Sequence, residues 1–117
     1  MSTNSQIAFA PLGKTIVVAA AAAAPAGIQA PVNTKYSMQG VGQYRIINAG
    51  TNTVFLGTGP NAVEATANAV APTAGNPAEA IVLVAGAVEI LRFSDAVFFS
   101  GLSAVATTVY ITPGQGI

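Results

Sequence analysis

The sequence contains no histidine, no cysteine and no tryptophan, and only 7% of its residues are charged. Without histidine or cysteine, the chain lacks the usual catalytic bases, thiol nucleophiles, zinc ligands and disulfides. Among its four carboxylates, Glu89 and Asp95 could approach each other, but we interpret both as solvated or salt-bridged surface groups. No acidic cluster suits calcium. We therefore predict a protein that is not an enzyme and has no metal and no cofactor.

Positive charge is equally scarce. Four Lys and Arg residues balance four Asp and Glu residues, and they are spread thinly along the chain. Binding through phosphate contacts usually requires several clustered basic residues, so we predict no nucleic-acid partner. The motifs at 40–42 (GVG) and 57–59 (GTG) lack the Lys-Ser/Thr pair of a phosphate-binding loop. We predict that both are turns and that there is no small-molecule substrate.

The composition instead favours a surface built for lasting protein contact. The chain has 117 residues, enough for one domain, and 52% of them are hydrophobic. Soluble domains contain about 25% charged residues, so most of this surface must be covered by Ala, Ser, Thr, Asn, Gln and Gly. Such a weakly hydrated surface suits permanent packing against other protein. A neutral, alanine-rich monomer is the alternative.

One apolar run near the N-terminus superficially resembles a secretory signal. Lys14 precedes residues 16–24, and a small-residue sequence follows from Pro25 to Gly27. We interpret the run as part of the fold because it is short and alanine-dominated. Spanning a bilayer takes about 20 apolar residues, and Pro25 ends the run well before that length. We therefore predict no membrane partner.

Runs rich in β-branched residues predict the strands at both ends of the domain. Residues 15–18 form the first run, and the alanines after it are expected to continue a closely packed segment. Residues 107–112 alternate, with Val109 and Ile111 predicted to point inward. Residues 43–48 and 53–56 flank a turn-forming sequence and are predicted to form a hairpin.

The middle of the chain is less regular. Residues 62–71 fit a short helix, with Asn61 and Glu64 as a capping box, almost as well as the extended segment that we favour. Residues 81–84 are continuously apolar, as expected of a strand buried on both faces. Seven or eight short strands at this spacing predict an all-β fold, an antiparallel β-sandwich that is jelly-roll-like. We assign residues 1–14 to an extended N-terminal arm and residues 15–117 to the sandwich.

Five segments spread over most of the length carry a resemblance to known proteins: Pro11–Thr15 (PLGKT), Gln43–Gly50 (QYRIINAG), Pro72–Gly75 (PTAG), Ala85–Ile90 (AGAVEI) and Val109–Gly116 (VYITPGQG). With these segments the chain resembles a group of small bacteriophage virion proteins that decorate or cement capsids. This resemblance implies a jelly-roll-like sandwich that assembles as a homotrimer at symmetry axes of the shell. It also implies the major capsid protein as a partner and the capsid surface of the virion as the location.

These observations predict a structural virion protein that cements a capsid through protein–protein contacts. In the arm, we expect Ile7, Phe9 and Leu12 to contact the coat. Phe98 and Phe99 must point to opposite faces of a strand, so we place one of them in an interface. We predict that Phe98, Phe99 and Leu102 form the subunit contact. The alternatives are another virion part, such as a head fibre base or the coat protein itself, and a non-viral carbohydrate-binding β-sandwich module.

Overall fold

The computed structural model describes residues 10–11, 13–29, 41–94 and 97–115. These ranges contain nine strands and one helix: β1 (Ala10–Pro11), β2 (Ile16–Ala20), β3 (Ile28–Gln29), β4 (Val41–Asn48), β5 (Val54–Gly59), α1 (Ala62–Asn68), β6 (Ile81–Leu83), β7 (Val88–Ser94), β8 (Phe98–Leu102) and β9 (Thr107–Gln115). Two antiparallel sheets pack face to face, which confirms the predicted all-β sandwich.

The strands of the two sheets are interleaved along the chain. Sheet A contains β1, β2, β4, β7 and β9, and sheet B contains β3, β5, β6 and β8. In sheet A the order is β7, β4, β9, and both β1 and β2 lie along the remaining edge of β9. In sheet B the order is β3, β8, β5, β6. Residues 10–11 and 13–14 of the predicted arm are described, and β1 within them pairs with β9 of its own chain.

The prediction that residues 43–48 and 53–56 form a hairpin is wrong. Strand β4 pairs with β7 and β9 in sheet A, whereas β5 pairs with β6 and β8 in sheet B. The turn-forming residues between them carry the chain from one sheet to the other. Both strands need a buried face, and placing them in opposite sheets lets Ile46 and Leu56 enter the same core.

The core between the sheets is apolar and continuous. It is formed by Val18, Ala20, Tyr44, Ile46, Val54, Leu56, Leu83, Val97, Phe99, Val109 and Ile111. The prediction that Val109 and Ile111 point inward is confirmed, since both are fully buried. Phe99 packs edge-on against Tyr44 and Phe93, with ring centroids 5.6 and 5.4 Å apart. Edge-to-face pairs of this kind add stabilisation beyond that of the buried area.

Two segments differ from the sequence-based expectation. Residues 62–68 form a helix, not an extended segment. The Asn61 side chain accepts a hydrogen bond from the Glu64 amide at 2.9 Å and donates one to the Glu64 carboxylate at 3.0 Å. The first bond satisfies a helix N–H that would otherwise lack a partner, and the second joins the two side chains. Strand β6 is not buried on both faces, because Leu83 lies in the core while Val82 is 50% exposed.

Asn48, at the end of β4, joins the two sheets. Its buried side-chain amide donates to the carbonyls of Asn52 at 2.8 Å, Leu83 at 2.9 Å and Val84 at 3.2 Å. Its Oδ1 accepts from the Gly50 amide at 3.0 Å. The Asn48 side chain thus links sheet A, through hydrogen bonds, to the connection between β4 and β5 and to the end of β6 in sheet B.

We expect Asn48→Ala to lower the free energy of unfolding by about 3 kcal/mol, because buried carbonyls lose their donor. Asn48→Asp should lose a similar amount, since a carboxylate accepts from Gly50 but donates nothing to the three carbonyls. Chemical denaturation monitored by circular dichroism measures both. Asn52→Ala is the matched control, because among the described residues the Asn52 side chain makes only one hydrogen bond, a long one of 3.4 Å to the Thr51 hydroxyl. An Asn48→Ala variant as stable as the control would contradict this role.

Candidate interaction surfaces

Within the described ranges no three acidic side chains are close enough to hold a metal ion. No helix in the same ranges is long and apolar enough to cross a bilayer. Glu89 is exposed on β7, and Asp95, its suggested neighbour, lies outside the described residues. The features that stand out are apolar rows on the outer faces of the two sheets.

The outer face of sheet A carries an apolar row that crosses four strands. Val17, Tyr110, Ile47 and Val88 occupy matching register positions on β2, β9, β4 and β7. Val17, Tyr110 and Val88 are 47%, 40% and 48% exposed, and Ile47 is half-buried between them. Ile90 extends the row along β7 and is 49% exposed. Because adjacent strands lie about 4.8 Å apart, these side chains form a continuous patch.

Two guanidinium groups lie on the same face. Arg45 is opposite Ile90 in the register, and Arg92 follows two residues later along β7. Neither forms an ion pair with any residue in the described part of the chain. Glu89 alternates with Ile90 and therefore belongs to the other side of the strand, in register with Ile46 of the core. The outer face of sheet A thus combines apolar surface with two positive charges that no described carboxylate pairs with.

The outer face of sheet B carries a second apolar row without charge. Val82, Phe55 and Leu102 occupy matching positions on β6, β5 and β8. Val82 is half-exposed, while Phe55 and Leu102 are partly buried. None of the four strands of sheet B contains a charged residue.

Helix α1 covers the rest of this face, and two glycines allow it to do so. Gly57 and Gly59 lie within β5, so the prediction of a turn at residues 57–59 is wrong. A Cβ atom at position 57 would lie 2.3 Å from both the Ala65 carbonyl oxygen and the Ala69 amide nitrogen. Glycine at this position therefore lets the helix backbone rest directly on the strand.

Hydrogen bonds fix the helix to its surroundings. The hydroxyls of Thr66 and Ser100 both donate to the Pro25 carbonyl, at 2.9 and 2.6 Å. The Asn68 amide donates to the Thr58 carbonyl at 2.8 Å. The alanine-rich segment before Pro25 therefore leads into the helix contact. Beside this contact is an open apolar depression of about 420 Å³, lined by Ala26, Ala62, Val63, Thr66 and Ala67.

The structure separates the residues that we predicted for subunit contact. Phe99 is fully buried in the core and has no surface to offer a partner. Phe98 and Leu102 alternate with it, face outward from sheet B and are half-buried. The expectation that the two phenylalanines face opposite sides is confirmed. The residues predicted for coat contact, Ile7, Phe9 and Leu12, lie outside the described residues.

The apolar row of sheet A was missed by sequence reasoning. Its signals were present, because Tyr110 alternates with the inward Val109 and Ile111, and Val88 and Ile90 alternate with Glu89. A row, however, needs the order of the strands, which the sequence does not provide. No protein-family model, curated protein or solved structure matches this chain. Its function is therefore argued from the surfaces themselves.

We expect Gly57→Ala to displace α1 from sheet B, because the added methyl group would overlap the helix backbone. The free energy of unfolding should fall by about 2 kcal/mol or more. Amide hydrogen exchange in residues 62–68 should accelerate more than exchange in β9. Gly42→Ala is the matched control, since the nearest atom that a Cβ there would meet is the Tyr44 hydroxyl oxygen, at an ordinary 3.5 Å. Unchanged exchange in α1 would show that the helix does not depend on this contact.

Proposed function

We propose that this chain is a structural protein of a bacteriophage virion that decorates and cements the capsid, acting as a homotrimer. The observation that carries the proposal is that both outer faces present apolar rows although the core is already filled. Contiguous exposed apolar patches usually mark surfaces that contact protein or ligand. With 7% charged residues, the chain has few groups that would keep such faces in solvent.

The pairing of the strands supports a jelly-roll architecture, which occurs in viral capsid proteins as well as in lectins and cupins. Four ladders join strands that are symmetric about the β5–β6 connection: β5 with β6, β4 with β7, β3 with β8 and β2 with β9. The chain thus pairs as one long hairpin rolled into two sheets. An architecture alone does not define a function, so this point supports the proposal without deciding it.

The outer face of sheet B is the surface we assign to contact between copies. It carries Phe98 and Leu102 of the predicted subunit contact, together with Phe55 and Val82. Because its strands carry no charge, copies can bring these faces close together without opposing like charges. A cyclic trimer built on such contacts repeats one interface three times.

The trimer would sit on the capsid surface and contact the major capsid protein. In this arrangement the segment containing Ile7, Phe9 and Leu12 reaches a coat subunit from each of the three copies. Three linked contacts raise the overall affinity well above that of a single one. The contacts stabilise the shell because each one joins surfaces of neighbouring coat subunits.

The native mass of the purified protein, measured by light scattering on a sizing column, tests the trimer first. The expected value is three times the chain mass of 11.6 kDa. Val82→Lys should reduce it to that of a monomer, because three lysines would enter an apolar contact. Val17→Lys is the matched control on sheet A and should leave the trimer intact. A wild-type monomer at high protein concentration would refute the proposed self-association.

Binding to shells tests the decoration role itself. Empty shells assembled from the coat protein of the same genome should co-sediment with the wild-type protein and should withstand a higher temperature when it is bound. Absence of binding to such shells would refute the decoration role whatever the native mass.

A further inference from the structure

We infer that the outer face of sheet A docks on the capsid shell, on a coat surface that is apolar and carries carboxylates opposite Arg45 and Arg92. The inference rests on the proposed function and assigns it a surface and a partner chemistry. It differs from the arm contact, because every residue of this face lies on a strand of the sandwich.

The apolar part of the face is a row, not scattered side chains. Val17, Tyr110, Ile47 and Val88 are cross-strand neighbours, and Ile90 lies beside the end of the row. A four-stranded face of this kind covers roughly 300 Å² in projection, given strands about 4.8 Å apart and about 3.3 Å per residue. This is the size of an apolar patch that is often functional in soluble proteins.

The two positive charges on this face indicate which chemical groups the partner must carry. Arg45 and Arg92 are exposed, and within the described ranges no carboxylate pairs with either of them. A guanidinium presents parallel N–H donors that fit a carboxylate in a bidentate pair. In an interface that excludes water, two unpaired guanidiniums would be costly. A stable complex therefore requires acidic groups from the partner.

The same charges argue against a second copy as the occupant. Two copies packed face to face would bring four guanidiniums together, and the described residues place no carboxylate on this face. Like charges placed across an interface disfavour the complex. The apolar row of sheet B has no such conflict, because the strands of this sheet contain no charged residue. On the basis of charge we therefore assign the outer face of sheet B to contact between copies of the chain and the outer face of sheet A to contact with the coat.

The size of the face makes a single docking event weak. A standard interface buries about 800 Å² on each partner, well above the projected area of this face. Three faces held in one trimer would bind together with much higher apparent affinity. Because two ion pairs contribute to each contact, binding should weaken as salt concentration rises.

The first experiment tests the face without a shell. The probe is 8-anilinonaphthalene-1-sulfonate, which combines an apolar ring system with one negative charge. In the wild-type protein it should shift the NMR signals of backbone amides around Val17, Ile47 and Ile90. Arg45→Gln together with Arg92→Gln should weaken dye binding at least about threefold. Signals that move only around Ala62 and Val63, beside the helix depression, would overturn the inference.

The second experiment uses shells assembled from the coat protein of the same genome. The double variant Arg45→Gln and Arg92→Gln should bind at least about tenfold more weakly than wild type, as expected when desolvated charge pairs are lost. Thr73→Glu is the control, because it makes the net charge more negative at an exposed position between α1 and β6, outside the strands of both sheets. The control should bind as wild type does.

The outcomes separate the two proposals. If wild-type protein fails to bind shells, the decoration role falls, and the dye experiment alone decides whether this face takes an apolar, acidic partner. If wild type binds and the double variant binds equally well, the role stands and the docking face is refuted. If the double variant changes the native mass, the face contacts a second copy, which also refutes the inference.

Discussion

The side chain of Asn48 connects the two sheets at the point where the chain leaves β4. Its amide donates to carbonyls at the end of β6 and in the crossing to β5, while its oxygen accepts from Gly50. Once the crossing is fixed, β4 and β5 must lie in opposite sheets, and the alternation of each strand decides which side chains face inward.

The inward side chains of the two sheets alone suffice for a core. The apolar side chains on the outer faces therefore need a separate explanation. Ile46 and Ile111 of sheet A meet Leu56 and Phe99 of sheet B in one closed apolar cluster. In a sheet with one solvated face, the alternate positions are normally polar. Here Tyr110 and Ile47 on sheet A, and Phe55 on sheet B, occupy such positions. Their apolar character is not needed by the fold, which is why we relate it to contacts with other protein.

Sequence reasoning recovered the features that are local and missed those that depend on neighbours. The alternation of residues 107–112 and the opposite orientations of Phe98 and Phe99 follow from the geometry of a single strand, and both are confirmed. The prediction that β4 pairs with β5 was wrong, because the same turn-forming residues can either close a hairpin or carry the chain from one sheet to the other. Helix α1 had a readable cap at Asn61, but its stability also depends on Gly57, whose role is visible only where the helix meets the strand. The apolar row of sheet A required the strand order.

The few charged residues of the chain are distributed unevenly over its surfaces. Arg45 and Arg92 lie on the outer face of sheet A, whereas Glu64 lies on α1 and Glu79 precedes β6. Two positive charges on an apolar face reject another positive face strongly and accept an acidic one, so they contribute specificity more than affinity. The strands of sheet B contain no charged residue, so the contact that we propose there depends on apolar area and shape. In our proposal a chain with 7% charged residues thus carries two distinct contacts, one that admits its own copies and one that excludes them.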